Sequence, residues 1–179
     1  MRLWTEACPR LSFVELPAKA KGEGLLPWLF GSDRRLWIRE DRSMASFGAT
    51  TLGAGARRQL VFNPLRSSGS WLVSDLCHEL GHVLGLKHEH QRRDRDLYIA
   101  YPPDFLESLS RDRRADYELD PNYPPAGFDW PYDYDSIMHY SSNVDGNRAR
   151  RRDDGSLIAG RKGPSAGDAE RLRLLYGPP

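Results

Sequence analysis

The segment "CHELGHVLGLKHEH", residues 77–90, holds four of the chain's five histidines together with two glutamates, and it constrains everything around it. From position 70 the apolar residues Trp71, Leu72, Val73, Leu76, Leu80, Val83 and Leu84 recur at helical spacing, with Ser70 or Ser74 able to cap the start and Gly85 placed to end it. His78 and His82 are four apart. On a helix they project from one face about a turn apart, the separation two imidazoles need to reach one metal ion. Glu79 is rotated off that face, which suits a residue that touches a metal-bound water and not the metal itself. Gly85 can take the left-handed conformation, after which the chain turns back and His88 completes a three-nitrogen set. Three protein ligands leave coordination positions open, the mark of a catalytic zinc site. The glycine and third histidine at fixed offsets make the pattern roughly three orders of magnitude rarer by chance than the first three residues alone. Nothing in this geometry requires His90, which is expected at the surface.

With 179 residues the chain suits one domain, or two small lobes around a cleft. The 26 Lys+Arg nearly cancel the 25 Asp+Glu and no basic face interleaved with aromatics appears, which argues against a nucleic-acid partner. "GLLPWLFG" is too short and too interrupted by proline to span a bilayer, and "MRLWTEACPR" has no apolar core of a signal peptide. No membrane partner is therefore expected. Cys8 and Cys77 allow at most one disulfide, and both are expected to be buried small hydrophobes.

Along the chain, "RLWTEACPRL" is helical, "SFVELP" extended, and "LWIRE" alternates as a strand after a Pro/Gly-rich loop. The Gly-rich "FGATTLGAGARR" opens into "QLVFNP", a further strand ended by Pro64 and expected at the edge of a small mixed sheet. Beyond residue 100 prolines and charges accumulate and strand signals are few, so this half is expected to be loop-rich with two helices. One lies in "PDFLESLSRDRRADYE", with Pro103 in its first turn; the other is "SAGDAERLRLLYG", where Ser165 and Asp168 have capping-box spacing and Gly177 can close the end. The "RARRRDDG" run is expected to be a solvated loop.

His78-Glu79-x-x-His82-x-x-Gly85-x-x-His88 is the metzincin signature, and "DYDSIMHY" supplies the methionine turn that such proteins carry downstream. Glu89, the following "HQRRDRDLYI" and Ser-x-Met-His-Tyr at 136–140 resemble the astacin family specifically, as does the C-terminal "GRKGPSAGDAERLRLLYG". The resemblance implies an α+β, zincin-like fold: a single domain over 1–179, with a small mixed sheet and the active-site helix in an upper lobe (1–85), an irregular lower lobe ending in a helix (86–179), and a cleft between. It implies a monomeric zinc endopeptidase acting on protein or peptide substrates, with one catalytic Zn2+ held by His78, His82 and His88. Glu79 is then the general base, Met138 the floor of the site, and Tyr140 a fifth ligand that swings away to stabilise the oxyanion. It also suggests secretion.

The same resemblance marks departures. The chain starts near the end of the family's first long helix, so it is expected to be a minimal or N-terminally truncated catalytic domain, and the family's two disulfides do not carry over to Cys8 and Cys77. The family's buried N-terminus, which approaches the residue matching Glu89, has no evident counterpart. In the family a basic residue between the methionine turn and the last helix favours acidic side chains just after the cut. Arg161, directly after Gly160, is the position that best resembles it. The alternatives are a folded zinc-binding remnant without activity and a binding module.

Overall fold

The computed structural model describes residues 1–9, 11–13, 36–44, 46–50, 58–67, 69, 71–124 and 130–176. They belong to two compact units, residues 1–86 with 162–179, and residues 87–161. The C-terminal helix thus groups with the first unit, whereas the sequence reading assigns it to the lower lobe, 86–179.

The first unit opens with the helix Arg2–Ala7 (α1). Its Trp4 is fully buried and donates from Nε1 to the carbonyl of Cys77 at 2.8 Å, so the indole satisfies its one polar atom while filling the core. Leu36–Glu40 (β1), Gly48–Thr50 (β2) and Arg58–Phe62 (β3) form a sheet in the order β1-β3-β2. β1 runs parallel to β3 in the register Ile38↔Leu60, and β2 antiparallel to it with Ala49↔Val61. The sheet is mixed, as expected, but "RQLVF" is its central strand and not its edge. Leu60 explains the placement: it is fully buried, and a strand paired on both sides is the one that can enclose such a side chain. The strand at Gly48–Thr50 was hidden by the glycine-rich composition around it. Of the extended "SFVELP", residues 14–17 lie outside the described residues, as do the loop that follows, Ser70 and Gly177.

The 12-residue helix Leu72–Val83 (α2) packs on β2 and β3. It starts without a side-chain cap: Trp71 holds that position, and Ser74 is buried inside the helix. Its end follows the expected chemistry. Gly85 adopts φ 95°, and the amides of Gly85 and Leu86 reach back to the carbonyls of His82 (2.9 Å) and Gly81 (3.0 Å), the paired bonds of a Schellman motif. Ala166–Tyr176, the last helix of the chain, opens on a reciprocal capping box. The Asp168 amide donates to Ser165 Oγ at 2.9 Å and the Ser165 amide to Asp168 Oδ2 at 3.0 Å. That helix packs against α1 and buries Leu172 completely, a burial worth about 1.5–3 kcal/mol. Cys8 and Cys77 are both buried and unbridged. Burial pushes the Cys77 thiol up to about 12, so it behaves as the expected inert hydrophobe.

The second unit is irregular. Ile99–Ala100 (β4) is followed by two short helices, Phe105–Ser108 (α3) and Arg111–Ala115 (α4), where one was expected. The break falls at Leu109, extended at ψ 145°, because Ser110 caps the second helix by accepting from the Arg113 amide. Arg150–Arg151 (β5) pairs antiparallel with β4. The arginine run is therefore not simply a solvated loop: Ala149 is buried beside Ile99, Tyr132 and Ile158, and Arg151 pairs with Asp153. Arg92 and Glu89 are both fully buried in this unit. Arg92 reaches Glu89 Oε1 at 3.2 Å, both oxygens of Asp94 at 2.8 Å, and the carbonyls of Trp130 and Pro131 at 3.1 Å. Every donor so used removes a desolvation cost that a buried charge would otherwise carry.

Candidate active site

α2 carries the first two histidines, and their rings stand 4.8 Å apart and perpendicular. His82 Nδ1 donates to the Leu86 carbonyl at 2.8 Å; a carbonyl can only accept, so this bond puts the ring proton on Nδ1 and the lone pair on Nε2. The Schellman turn at Gly85 brings the Leu86 carbonyl there, so the residue that ends the helix also sets the tautomer. His88 repeats the device, with Nδ1 donating to Gln91 Oε1 at 2.9 Å. Burial, and then the neighbouring His78, push the His82 imidazole down to about 3. It is neutral at physiological pH, the form a metal ligand must have. Nitrogens of His78, His82 and His88 all lie within 4.8 Å of one another. Three converging imidazoles, two of them with Nε2 left as a lone pair by the bonds of His82 and His88, are a donor set that fits zinc.

Glu79 is partly buried, and burial pushes its carboxyl up to about 7 against the opposing effect of a hydrogen bond from Thr50. A carboxyl poised near neutrality exchanges protons readily. Thr50 lies on β2, and so does Gly48, whose missing side chain makes room for Glu79. A methyl group built on Gly48 would sit 2.5 Å from Glu79 Cδ and closer still to Oε1. Gly48→Ala is accordingly expected to displace the carboxylate and lower kcat by roughly tenfold or more, while zinc content by elemental analysis stays unchanged. An unaltered kcat would show that the position of the Glu79 carboxylate does not limit the reaction. Composition marked this stretch only as glycine-rich; no sequence signal ties Gly48 to Glu79.

Within residues 87–161, Tyr140 lies beside His88 and Met138 is tied to the residue that follows it. The Glu89 amide donates to the Met138 carbonyl at 3.1 Å, and Met138, fully buried, receives a turn built by Ser136: its amide donates to Ser136 Oγ at 3.0 Å. Tyr140 follows two residues later, its ring 4.7 Å from that of His88. Glu89 accepts from Arg92, from the Tyr123 hydroxyl at 3.2 Å and from the Asp133 amide at 2.8 Å. The carboxylate whose partner the sequence left open is thus met inside this unit. His90 overturns its expectation: it is 0% exposed, with Nε2 donating to the Asp116 carbonyl at 3.0 Å and its ring stacked on Tyr140. Arg161 is paired with the Asp135 carboxylate, and its side chain is 37% exposed.

Residues 65–177, more than half of the chain, match the model of the Astacin peptidase family. The chain belongs to the astacin family. This astacin is 34% identical over 110 residues to nematocyst expressed protein 6 of Nematostella vectensis, covering 58% of this chain and 37% of that protein. It is 36% identical over 105 residues to the astacin-like metalloendopeptidase of Gallus gallus, covering 55% and 24%. It spans little more than a third of the first of these relatives and a quarter of the second. Among solved structures it resembles high choriolytic enzyme 1, a hatching enzyme zinc-protease from Oryzias latipes, with a TM-score of 0.62 and 25% identity over 79% of this chain and 69% of that one. Astacins use one catalytic zinc, and the three histidines are where this chain offers its donors. Among the described residues no helix is long and apolar enough to cross a membrane.

Proposed function

We propose that the chain is a zinc-dependent endopeptidase that hydrolyses peptide bonds in proteins or peptides. The observation that carries the reading is the cluster of three histidine nitrogens on and just after α2 in a chain of the astacin family. His78, His82 and His88 would hold the ion, which when bound acidifies a water and polarises a carbonyl. Glu79 takes the proton of the attacking water and hands it to the leaving amine. The Tyr140 hydroxyl donates a hydrogen bond to the oxygen on which charge grows as the carbonyl becomes tetrahedral. Met138, whose carbonyl accepts from the Glu89 amide, would floor the site on the side of His88. Among the described strands β1 and β2 are the outer ones, and β2 is the one whose Thr50 reaches Glu79; an extended peptide added to its open side would lie beside Glu79, and this replaces the expectation that "RRQLVFN" holds it. The test is zinc content by elemental analysis alongside casein or gelatin hydrolysis, with and without 1,10-phenanthroline. Stoichiometric zinc with no hydrolysis would make the chain a zinc-binding, inactive member instead.

We further propose that Arg161 favours Asp or Glu just after the scissile bond, through a bidentate guanidinium–carboxylate pair. Its pairing with Asp135 supports this: the guanidinium already accommodates a carboxylate that is itself 64% exposed and can yield to another. Exchanging one carboxylate for another keeps the preference modest, about threefold to tenfold, in line with pairs at partly exposed sites. Mass-spectrometric profiling of a peptide library is expected to find acidic residues enriched after the cut, and to lose that enrichment in Arg161→Ala. Enrichment that survives the substitution assigns the preference elsewhere.

A further inference from the structure

His90 takes no part in the chemistry proposed above, yet it is fully enclosed, and both of its ring nitrogens have assigned neighbours. Resting on the peptidase reading, we propose that His90 is a positioning residue whose flat face sets the plane and depth of the Tyr140 ring, and thereby the reach of its hydroxyl. The two rings stack at 4.1 Å with 28° between their planes. The Tyr140 amide also points at His90 Nδ1, 3.4 Å away, so backbone and ring of the same tyrosine meet the same imidazole. The imidazole in turn cannot rotate freely, because Nε2 donates to the Asp116 carbonyl at 3.0 Å. Its main chain is held as well: Arg95 Nη1 donates to the carbonyls of His90 (3.0 Å) and Tyr117 (2.6 Å). Tyr117 presses edge-on against Tyr140 (5.8 Å between centroids) and packs against His90 (5.6 Å), and its hydroxyl donates to Asp145 Oδ2 at 2.9 Å, a carboxylate that Arg113 also grips. Tyr140 thus rests on an imidazole that is itself clamped from behind. A hydroxyl that must meet a developing oxyanion loses its effect with small displacements, so the platform beneath the ring governs turnover and leaves substrate binding largely alone. All of these residues lie within 87–161.

Two substitutions separate stacking from hydrogen bonding. His90→Phe keeps the flat face and gives up both nitrogen contacts; His90→Gln keeps a polar group for the Asp116 carbonyl and gives up the face. With zinc bound in each, the Gln variant is expected to lose about tenfold or more in kcat at a KM within roughly twofold of wild type, and the Phe variant to retain most of its kcat. Aromatic NMR gives a reading that needs no turnover: the Tyr140 ring protons should lie upfield in the wild type and in His90→Phe, and move downfield in His90→Gln. Wild-type protein that binds zinc but cleaves nothing would defeat the peptidase reading, and the NMR comparison would still decide the stack. The proposal is overturned if His90→Gln keeps wild-type kcat, if its loss lies in KM, if the Tyr140 protons do not move in His90→Gln, or if a folded, zinc-bound His90→Phe falls as far as the Gln variant. Should His90→Phe fail to fold, the kcat, KM and NMR results of His90→Gln decide alone.

Discussion

Glu79→Gln is expected to reduce peptide hydrolysis by roughly 10²- to 10⁴-fold, to the background of a casein assay, while the protein still binds one zinc per chain. The amide is nearly isosteric and leaves the three imidazoles where they are, but it can neither take a proton from water nor return one to an amine. Elemental analysis and turnover on the same sample separate the two roles; full zinc with wild-type turnover would remove Glu79 from the chemistry. The same substitution has a second consequence, readable in protein stripped with chelator. Burial raises the Glu79 carboxyl to about 7 in the folded chain from its ordinary 4.5, so the folded state holds the proton more tightly than the unfolded one. The stability this contributes is fully present below about 4.5 and is lost as pH rises through about 7. Glutamine does not titrate. The chelated variant should therefore gain in Tm over chelated wild type at pH 7.5 and gain least at pH 4.5, in thermal unfolding followed by circular dichroism. A difference in Tm that does not change with pH would mean that Glu79 ionises in the fold as easily as in water.

How much of this was legible in advance follows from how local the determining chemistry is. The helix that carries His78 and His82, the glycine that ends it and the Ser165/Asp168 cap are fixed by residues three to five positions apart, and they stand where the sequence puts them. The Met138 turn is equally local, closed by Ser136 two residues before it. Features set by distant partners were not legible. Whether Arg58–Phe62 is central or an edge depends on Gly48–Thr50 lying alongside it, and a three-residue strand in a glycine-rich stretch has no periodicity to announce it. His90 is buried by Asp116, Tyr117 and Tyr140, from 26 to 50 positions away, and its flanking residues are charged or polar, which is why it resembles a surface histidine. Leu109 and Ser110 look helical by composition, but a serine that can cap a new helix competes with one that continues the old.

His82→Ala should abolish zinc binding, from one ion per chain to none at micromolar metal, and hydrolysis with it. Two imidazoles remain, His78 and His88, and a borderline-soft cation held by two nitrogens exchanges readily with buffer and water. The loss should extend to stability, because an ion that binds only the folded chain contributes RT ln(1 + [L]/Kd), about 2.7 kcal/mol at a hundredfold excess over Kd. At this chain length that corresponds to a fall in Tm of roughly 5–10 °C. A smaller loss independent of zinc is superimposed on it. His82 Nδ1 satisfies the Leu86 carbonyl, and removing that donor next to the end of α2 costs about 0.5–1.5 kcal/mol. The two contributions separate with a chelator. Wild-type Tm should drop on chelation by the zinc increment, the variant's should not move, and the gap remaining between the two chelated proteins measures the bond to Leu86. Because His82 is held neutral by burial and by His78, it has no proton to give up before binding near pH 7, and zinc should return to chelated wild type on dialysis. Unchanged zinc content in His82→Ala, or a chelator that shifts both proteins alike, would place the metal on other residues than the three histidines.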